Sequence, residues 1–196
     1  MNLARKIHCL DAAVCDEIVE AVKDSEFKRS SIIRKEGMDF EDIRTSTNTS
    51  LNSKHDKIVH DALNNALTAW STQISSEYPQ VQACLKLPGI TPSLDTYHEA
   101  FGVLRYEPGQ KYDWHTDAPI DRFEANSFDA SRRLISCVLY LNDDFTGGQT
   151  EMHGRKYRPE KGKVLIFPSN WNYPHRACPV EEGTKYAVVT WYHSDN

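Results

Sequence analysis

Beyond Pro92 the chain runs as six short segments rich in β-branched and aromatic residues: HEAFGVLRY, KYDWHTD, RRLISCVLYL, QTEMHG, GKVLIFP and KYAVVTWYH. Turn signals separate them at Pro108-Gly109, Gly147-Gly148, Pro159 to Gly162 and Glu182-Gly183. Segments so short and so often interrupted predict an antiparallel sandwich or jelly roll, because none can bury its apolar face alone. The half before the break at Pro88 to Pro92 reads differently. After Asp11, a candidate N-cap, Val14, Ile18, Val19 and Val22 recur at helical spacing over about residues 12 to 24. From about Lys54 to Tyr78, Ile58, Ala62, Leu63, Ala66, Leu67, Trp70 and Ile74 form one apolar stripe, which Pro79 ends. The polar stretch between them, SSIIRKEGMDFEDIRTSTNTSLNS, suits loops and short edge strands. The expected fold is α+β: one domain over 1–196, with helical support over about 1–90 buttressing a jelly-roll core over about 91–196.

Composition bounds the functional class. At 196 residues the chain can bury a core without cross-links. Cys9, Cys15, Cys84, Cys137 and Cys178 are odd in number, scattered and without a C-x-x-C pair, so neither a disulfide framework nor a zinc ribbon is indicated. A reducing cytoplasm is the expected location. Asp11, Asp16, Glu17 and Glu20 fall where a signal peptide would keep an apolar stretch. Apolar runs stay short of the roughly 18 residues of a membrane span, so no membrane partner is expected. A net charge of −5 without a Lys/Arg stripe gives no general attraction to nucleic acid. No pattern indicates an oligomeric state.

The residues that carry chemistry lie in the β half. On a strand, His115 and Asp117 at i and i+2 point to one face, although such a pair alone is a weak signal that also fits a hydrogen-bonded surface pair. Two imidazoles and one carboxylate on one side of an octahedral ion make the facial triad of non-haem Fe(II) oxygenases, with positions open for co-substrate and oxygen. His175, after the apolar run GKVLIFPSNWNYP, and His153, after the Gly147-Gly148 turn, compete for the third place. The spacing to Lys185 favours His175. If the segments flanking PVEEG pair, Lys185 stands opposite a dicarboxylate-sized space. A buried ammonium is costly unless a carboxylate meets it, and the distal carboxylate of 2-oxoglutarate would do so. The alternative is an exposed edge lysine that guards against sheet aggregation. In a strand from Lys185 to His193, Lys185, Ala187, Val189, Trp191 and His193 share one face, while Tyr186, Val188, Thr190 and Tyr192 share the other.

At these residues the chain resembles the prolyl 4-hydroxylase-like branch of the Fe(II)/2-oxoglutarate dioxygenases. YEPGQKYDWHTD is similar to the family's tyrosine-bearing segment leading into H-x-D. RRLISCVLYLNDDFTGGQT resembles its arginine-led core strand and Gly-Gly-x-Thr hairpin, and RPEKGKVLIFP the next strand. HRACPVEEGTKYAVVTW carries the distal His, Pro-Val, Gly and Lys in the family's order, and IRTSTNTSL resembles its Arg-Thr-Ser stretch. The resemblance covers roughly residues 5 to 193 and implies a double-stranded β-helix core. It implies that His115, Asp117 and His175 bind Fe(II), that Lys185 pairs with 2-oxoglutarate, that Tyr106 and Thr150 supply hydroxyls, and that Trp191 packs beside it. It further implies that Arg133 and His193 hold substrate backbone, with adjacent Arg132 competing for the arginine's place.

The activity so implied is hydroxylation of a C–H bond, with a proline-containing peptide or protein as substrate and succinate and CO2 as products. Ascorbate would act as reductant. The additional peptide-binding and assembly domains of collagen-type enzymes are absent from this sequence, so collagen does not follow as substrate. Hydroxylation of a free amino acid or small metabolite is one alternative, and a non-catalytic jelly-roll module binding metal or peptide is another. Residues 34 to 50 and the loop APIDRFEANSFDAS are candidates to close over the site.

Overall fold

The computed structural model describes residues 2–30, 32–34, 37–39, 42–81, 98–118 and 130–193. The two expected helices form where the apolar stripes lie. Helix α1 (Ala12–Val22) turns Cys15, Ile18 and Val22 inward. Asp11 holds its N-cap position without a capping side-chain bond; only its carbonyl, accepting from the Val14 and Cys15 N–H groups, closes the first turn. In helix α2 (Ser53–Glu77) the Asn52 side chain does cap, accepting from the His55 N–H. The inward face of α2 is Val59, Leu63, Ala66, Leu67, Trp70 and Ile74, with His55 buried at its start.

The strands are β1 (Arg5–His8), β2 (Lys28–Arg29), β3 (Ile32–Arg34), β4 (Gly37–Asp39), β5 (Thr47–Ser50), β6 (Gly102–Tyr106), β7 (Tyr112–His115), β8 (Arg133–Tyr140), β9 (Thr146–Gly147), β10 (Thr150–Met152), β11 (Arg155–Tyr157), β12 (Lys163–Pro168), β13 (His175–Ala177), β14 (Val180–Glu182) and β15 (Lys185–His193). Among the described residues the large sheet has the order β1-β12-β8-β15-β6-β5-β2, and the small one the order β11-β10-β13-β7. Two ribbons, β14-β9 and β3-β4, complete the set. All these pairings are antiparallel.

Strand alternation splits the large sheet into two faces. Val103, Ile135, Cys137, Leu139, Val164, Ile166, Val188 and Tyr192 pack with α1 and α2 into one core. The alternate residues Leu104, Tyr106, Tyr140, Leu165, Phe167, Ala187 and Val189 turn the other way, toward Met152, Tyr173 and Val180. Both faces are covered, which is why RRLISCVLYL and GKVLIFP read as nearly unbroken apolar runs.

Two expectations change. The first half is not purely helical support: β1 pairs with β12, and β5 pairs with β6, so it supplies three strands, β1, β5 and β2, to the large sheet. The segments flanking PVEEG do not pair with each other. β13 lies in the small sheet between β10 and β7, whereas β15 runs down the middle of the large one, so His175 and Lys185 belong to different sheets. The polar stretch does form short strands, β3 to β5. Residues 119–129 of the proposed closing loop, the break at Pro88 to Pro92 and Cys84 lie outside the described residues.

Candidate metal centre

Pairing register brings the first two candidate ligands together: His115 at the end of β7 lies directly opposite His175 at the start of β13. The His115 Nδ1 is 2.7 Å from the Asp113 carbonyl, and the His175 Nδ1 is 3.0 Å from the Tyr173 carbonyl. A carbonyl only accepts, so both Nδ1 atoms carry the proton and both Nε2 lone pairs point forward. The His115 Nε2 is 3.6 Å from Asp117 Oδ1, and the His175 Nε2 is 3.6 Å from Asp117 Oδ2. Among the described residues these three form the one group of three or more such donors, all within 4.8 Å of one another. Donors about 2.1 Å from a divalent ion at right angles lie about 3 Å apart, so the three side chains would draw together to hold one. Two nitrogens and one carboxylate oxygen fit Fe(II) by donor type.

Electrostatics keep His175 neutral and Asp117 charged, the forms a metal ion would need. Burial pushes the His175 imidazole down to about 4 against the pull of Asp117, so the ring stays neutral. Burial alone would raise the Asp117 carboxyl, but the neighbouring His175 and His115 and the Ser136 hydroxyl hold it well below the usual carboxylate range. Ser136 Oγ donates to Asp117 Oδ2 at 2.6 Å and lies 2.8 Å from Ser169 Oγ. With the Ser136 proton committed to the carboxylate, Ser169 donates to Ser136. The Tyr112 ring stacks on His115 at 3.5 Å, and the Phe167 edge meets His175 at 4.7 Å.

Lys185 is 2 % exposed and faces the same interior from the large sheet. Its ammonium donates to the Gly148 carbonyl at 2.7 Å and lies 5.0 Å from the Tyr106 ring and 5.6 Å from the Tyr140 ring. No carboxylate among the described residues pairs with it, and burial lowers its pKa to about 8. It is therefore not an exposed edge lysine. Tyr106, its register partner on β6, is buried and hydrogen-bonds Ser46. Thr150 is buried on β10, 2.9 Å from the Tyr140 hydroxyl.

Arg133 and His193 meet on one carboxylate. Arg133 Nε and Nη2 donate to the two Glu99 oxygens at 2.6 and 2.7 Å, and the His193 Nε2 lies 2.9 Å from Glu99 Oε1. The same guanidinium lies over the Trp191 ring at 3.7 Å and donates to the Asp117 carbonyl at 3.2 Å. Burial would raise the Glu99 carboxyl, but Arg133 and then His193 hold it below its ordinary value. Arg132, the competitor, ends a short 3-10 turn just before β8. His153 stands apart: it is exposed at the β10–β11 turn, with its Nε2 on the Asn172 carbonyl.

Glu99, Ser136, Ser169, Tyr112 and Tyr140 escaped the sequence analysis. Ser136 was the findable one, a polar residue inside the apolar run RRLISCVLYL. Glu99 and Ser169 gave no signal, since only tertiary pairing brings them to Arg133 and Ser136.

Comparison with known proteins agrees with this geometry. Residues 101–193 match the profile of the 2OG-Fe(II) oxygenase superfamily, a span that holds His115, Asp117, His175 and Lys185. Prolyl 4-hydroxylase 2 of Arabidopsis thaliana is 25% identical over 215 residues, covering 93% of this chain and 64% of the relative. The chain thus spans just under two thirds of that plant relative. Prolyl 4-hydroxylase 13 of the same plant is 31% identical over 121 residues, covering 48% of this chain and 43% of the relative. In structure, a Trichoplax adhaerens prolyl hydroxylase in complex with a hypoxia inducible factor oxygen degradation domain peptide fragment gives a TM-score of 0.69 at 17% identity, covering 99% of this chain and 84% of that one. A viral collagen prolyl hydroxylase of Paramecium bursaria Chlorella virus-1, solved as its 2OG complex, gives 0.65 at 19% identity, covering 98% and 97%. These neighbours share the double-stranded β-helix fold. Over residues 101–193 the chain is therefore similar to the 2OG-Fe(II) oxygenase superfamily, and over nearly its whole length its fold is that of the prolyl hydroxylase neighbours.

Proposed function

We propose that this chain is an Fe(II)- and 2-oxoglutarate-dependent dioxygenase that hydroxylates a peptidyl proline and releases succinate and CO2. The observation that carries this reading is the convergence of His115 Nε2, His175 Nε2 and the Asp117 carboxylate, on the interior that the buried Lys185 faces without a carboxylate of its own. Bound there with the 2-oxo acid, Fe(II) would let O2 act as the oxidant, one oxygen atom entering a C–H bond and the other the succinate formed as the acid loses CO2.

The chain's own residues bind, orient and exclude water. His115, Asp117 and His175 hold the metal on one face, with their tautomer and charge fixed by Asp113, Tyr173 and Ser136. Lys185 exchanges the Gly148 carbonyl for the distal carboxylate of 2-oxoglutarate, an ammonium–carboxylate pair stronger than the bond it replaces. Tyr106 and Thr150 supply hydroxyls beside it, and Trp191 packs along the wall. A carboxylate retained at position 117 favours hydroxylation over halogenation, which needs that place for a halide.

Substrate class follows from Arg133. Its Nε/Nη2 edge is already filled by Glu99, and one Nη1 N–H goes to the Asp117 carbonyl, so that edge is not open to the carboxylate of a free amino acid. That favours a neutral backbone at this rim, held by Arg133 and His193, over the small-metabolite alternative. The names of the plant relatives and of the Trichoplax and viral neighbours point the same way. The complete donor set with Lys185 weighs against a module without turnover. Ascorbate is assigned the role of keeping the metal ferrous. The unpaired thiols of Cys9, Cys15, Cys137 and Cys178 favour a reducing, cytoplasmic setting. Among the described residues no helix is long and apolar enough to cross a membrane. Incubating the protein with Fe(II), 2-oxoglutarate, O2, ascorbate and a proline-rich peptide library should give products heavier by one oxygen atom at proline. Products on free proline but on no peptide would reverse the substrate assignment.

A further inference from the structure

Among the described residues His153 is the one non-glycine residue with a positive φ, at 51°. Met152 pairs with Arg155, so His153 and Gly154, at φ 70°, are the two central residues of a tight hairpin between β10 and β11. A turn with both central residues left-handed favours Asn or Gly at the first of them. A histidine there carries on the order of 1 kcal/mol of strain. Its ring is neither buried nor packed into a core, yet it is fixed at two points. Its Nε2 donates to the Asn172 carbonyl at 2.7 Å, and its face lies 4.9 Å from the Tyr173 ring.

Asn172 belongs to the turn that delivers His175. The Asn170 side chain accepts from the Asn172 N–H, and the Asn170 carbonyl accepts from the Tyr173 N–H. The carbonyl of Tyr173, the next residue, takes the His175 Nδ1 proton and so aims the opposite nitrogen at the metal. From the far side, the Leu3 N–H donates to the Tyr173 hydroxyl. The turn is thus clamped between the N-terminal segment and the hairpin tip.

We propose that His153 is a positioning residue. By holding the Asn172 carbonyl it fixes the turn whose Tyr173 carbonyl sets the direction of the His175 Nε2 lone pair. This rests on the Fe(II) reading of the triad. His153 is no rival for the third ligand position; it acts on the third ligand from outside, across two strands of the small sheet.

Two substitutions separate the donor from the backbone. His153→Gly suits the left-handed turn but loses the N–H, whereas His153→Gln keeps a side-chain N–H of similar reach at the same backbone cost. Equilibrium titration with Co(II) should show metal affinity falling roughly 3- to 10-fold in His153→Gly and staying within about twofold in His153→Gln. The Tm of metal-free His153→Gly should equal or exceed that of the wild type, because strain is relieved. Unchanged Co(II) affinity in His153→Gly would overturn the proposal, as would an equal loss in both variants or a loss that merely follows a fallen Tm. A wild-type protein that binds no Co(II) would overturn the metal reading itself, an outcome distinct from these.

Discussion

At Lys185 the burial that lowers the ammonium to about 8 also sets a pH window. The group's folded value lies below its ordinary 10.5, so the unfolded chain holds the proton more tightly than the folded one between those values. Stability of the metal-free protein should therefore rise as pH climbs from about 8 toward 10.5, by up to about 3 kcal/mol. Binding of 2-oxoglutarate needs the charged form, so kcat/KM for the co-substrate should fall about tenfold per unit above pH 8. Lys185→Met should remove both effects, raising the metal-free Tm by several degrees while raising KM for 2-oxoglutarate at least about 100-fold. A KM that stays put would remove Lys185 from the co-substrate site. Ser136→Ala leaves Asp117 without its short hydrogen bond, and metal titration should show affinity falling about 10- to 100-fold.

At the scale of the element, turns decide where these side chains stand. Gly148 sits at φ +64°, where an added Cβ would meet Phe145 Cε2 at 2.8 Å and Lys185 Cδ at 3.2 Å. Gly148→Ala should therefore displace the lysine that its carbonyl receives, and raise KM for 2-oxoglutarate more than it lowers Tm. Gly162, at φ +78°, accepts from the Cys9 and Leu10 N–H groups, and a Cβ there would lie 2.1 Å from the Leu10 carbonyl. Gly162→Ala should detach β1 and α1 from the sheet and lower Tm by on the order of 10 °C in thermal unfolding. The elements themselves were largely legible in the sequence. The stripe expected from Ile58 to Ile74 is buried at Leu63, Ala66, Leu67, Trp70 and Ile74, with Val59 buried at its start and Ile58 and Ala62 only half-buried, and the six β segments appear close to where periodicity put them, because burial imposes period on any chain. Helix α1 ends two residues early, at Val22, and Asp11 makes no side-chain cap bond. Strand β1 was missed, since RKIH is too short to show a period of its own before its partner β12 is known.

Over the whole molecule, the site is an agreement between two sheets. The small sheet presents His115 and His175 in direct register, and the large sheet presents Lys185, Tyr106, Ser136 and Arg133 from its inner face. The H-x-D pair and Lys185 could be read in one dimension. That His175 and Lys185 lie in different sheets could not, because the short segment VEE between them pairs with neither and instead joins β9. Glu99 was illegible for the same reason: its partner Arg133 is 34 residues away. A metal joining β7 to β13 should stabilise the fold by mass action, by about 2.7 kcal/mol at 100 times its dissociation constant. Mn(II) should accordingly raise the wild-type Tm by several degrees and leave Asp117→Ala unmoved. The most direct test of the triad is succinate release from 2-oxoglutarate, followed with and without Fe(II) in the wild type, Asp117→Ala and His175→Ala. We expect Fe(II)-dependent succinate in the wild type and at least about a 1000-fold loss in both variants; undiminished release in His175→Ala, or none in the wild type, would contradict the assignment.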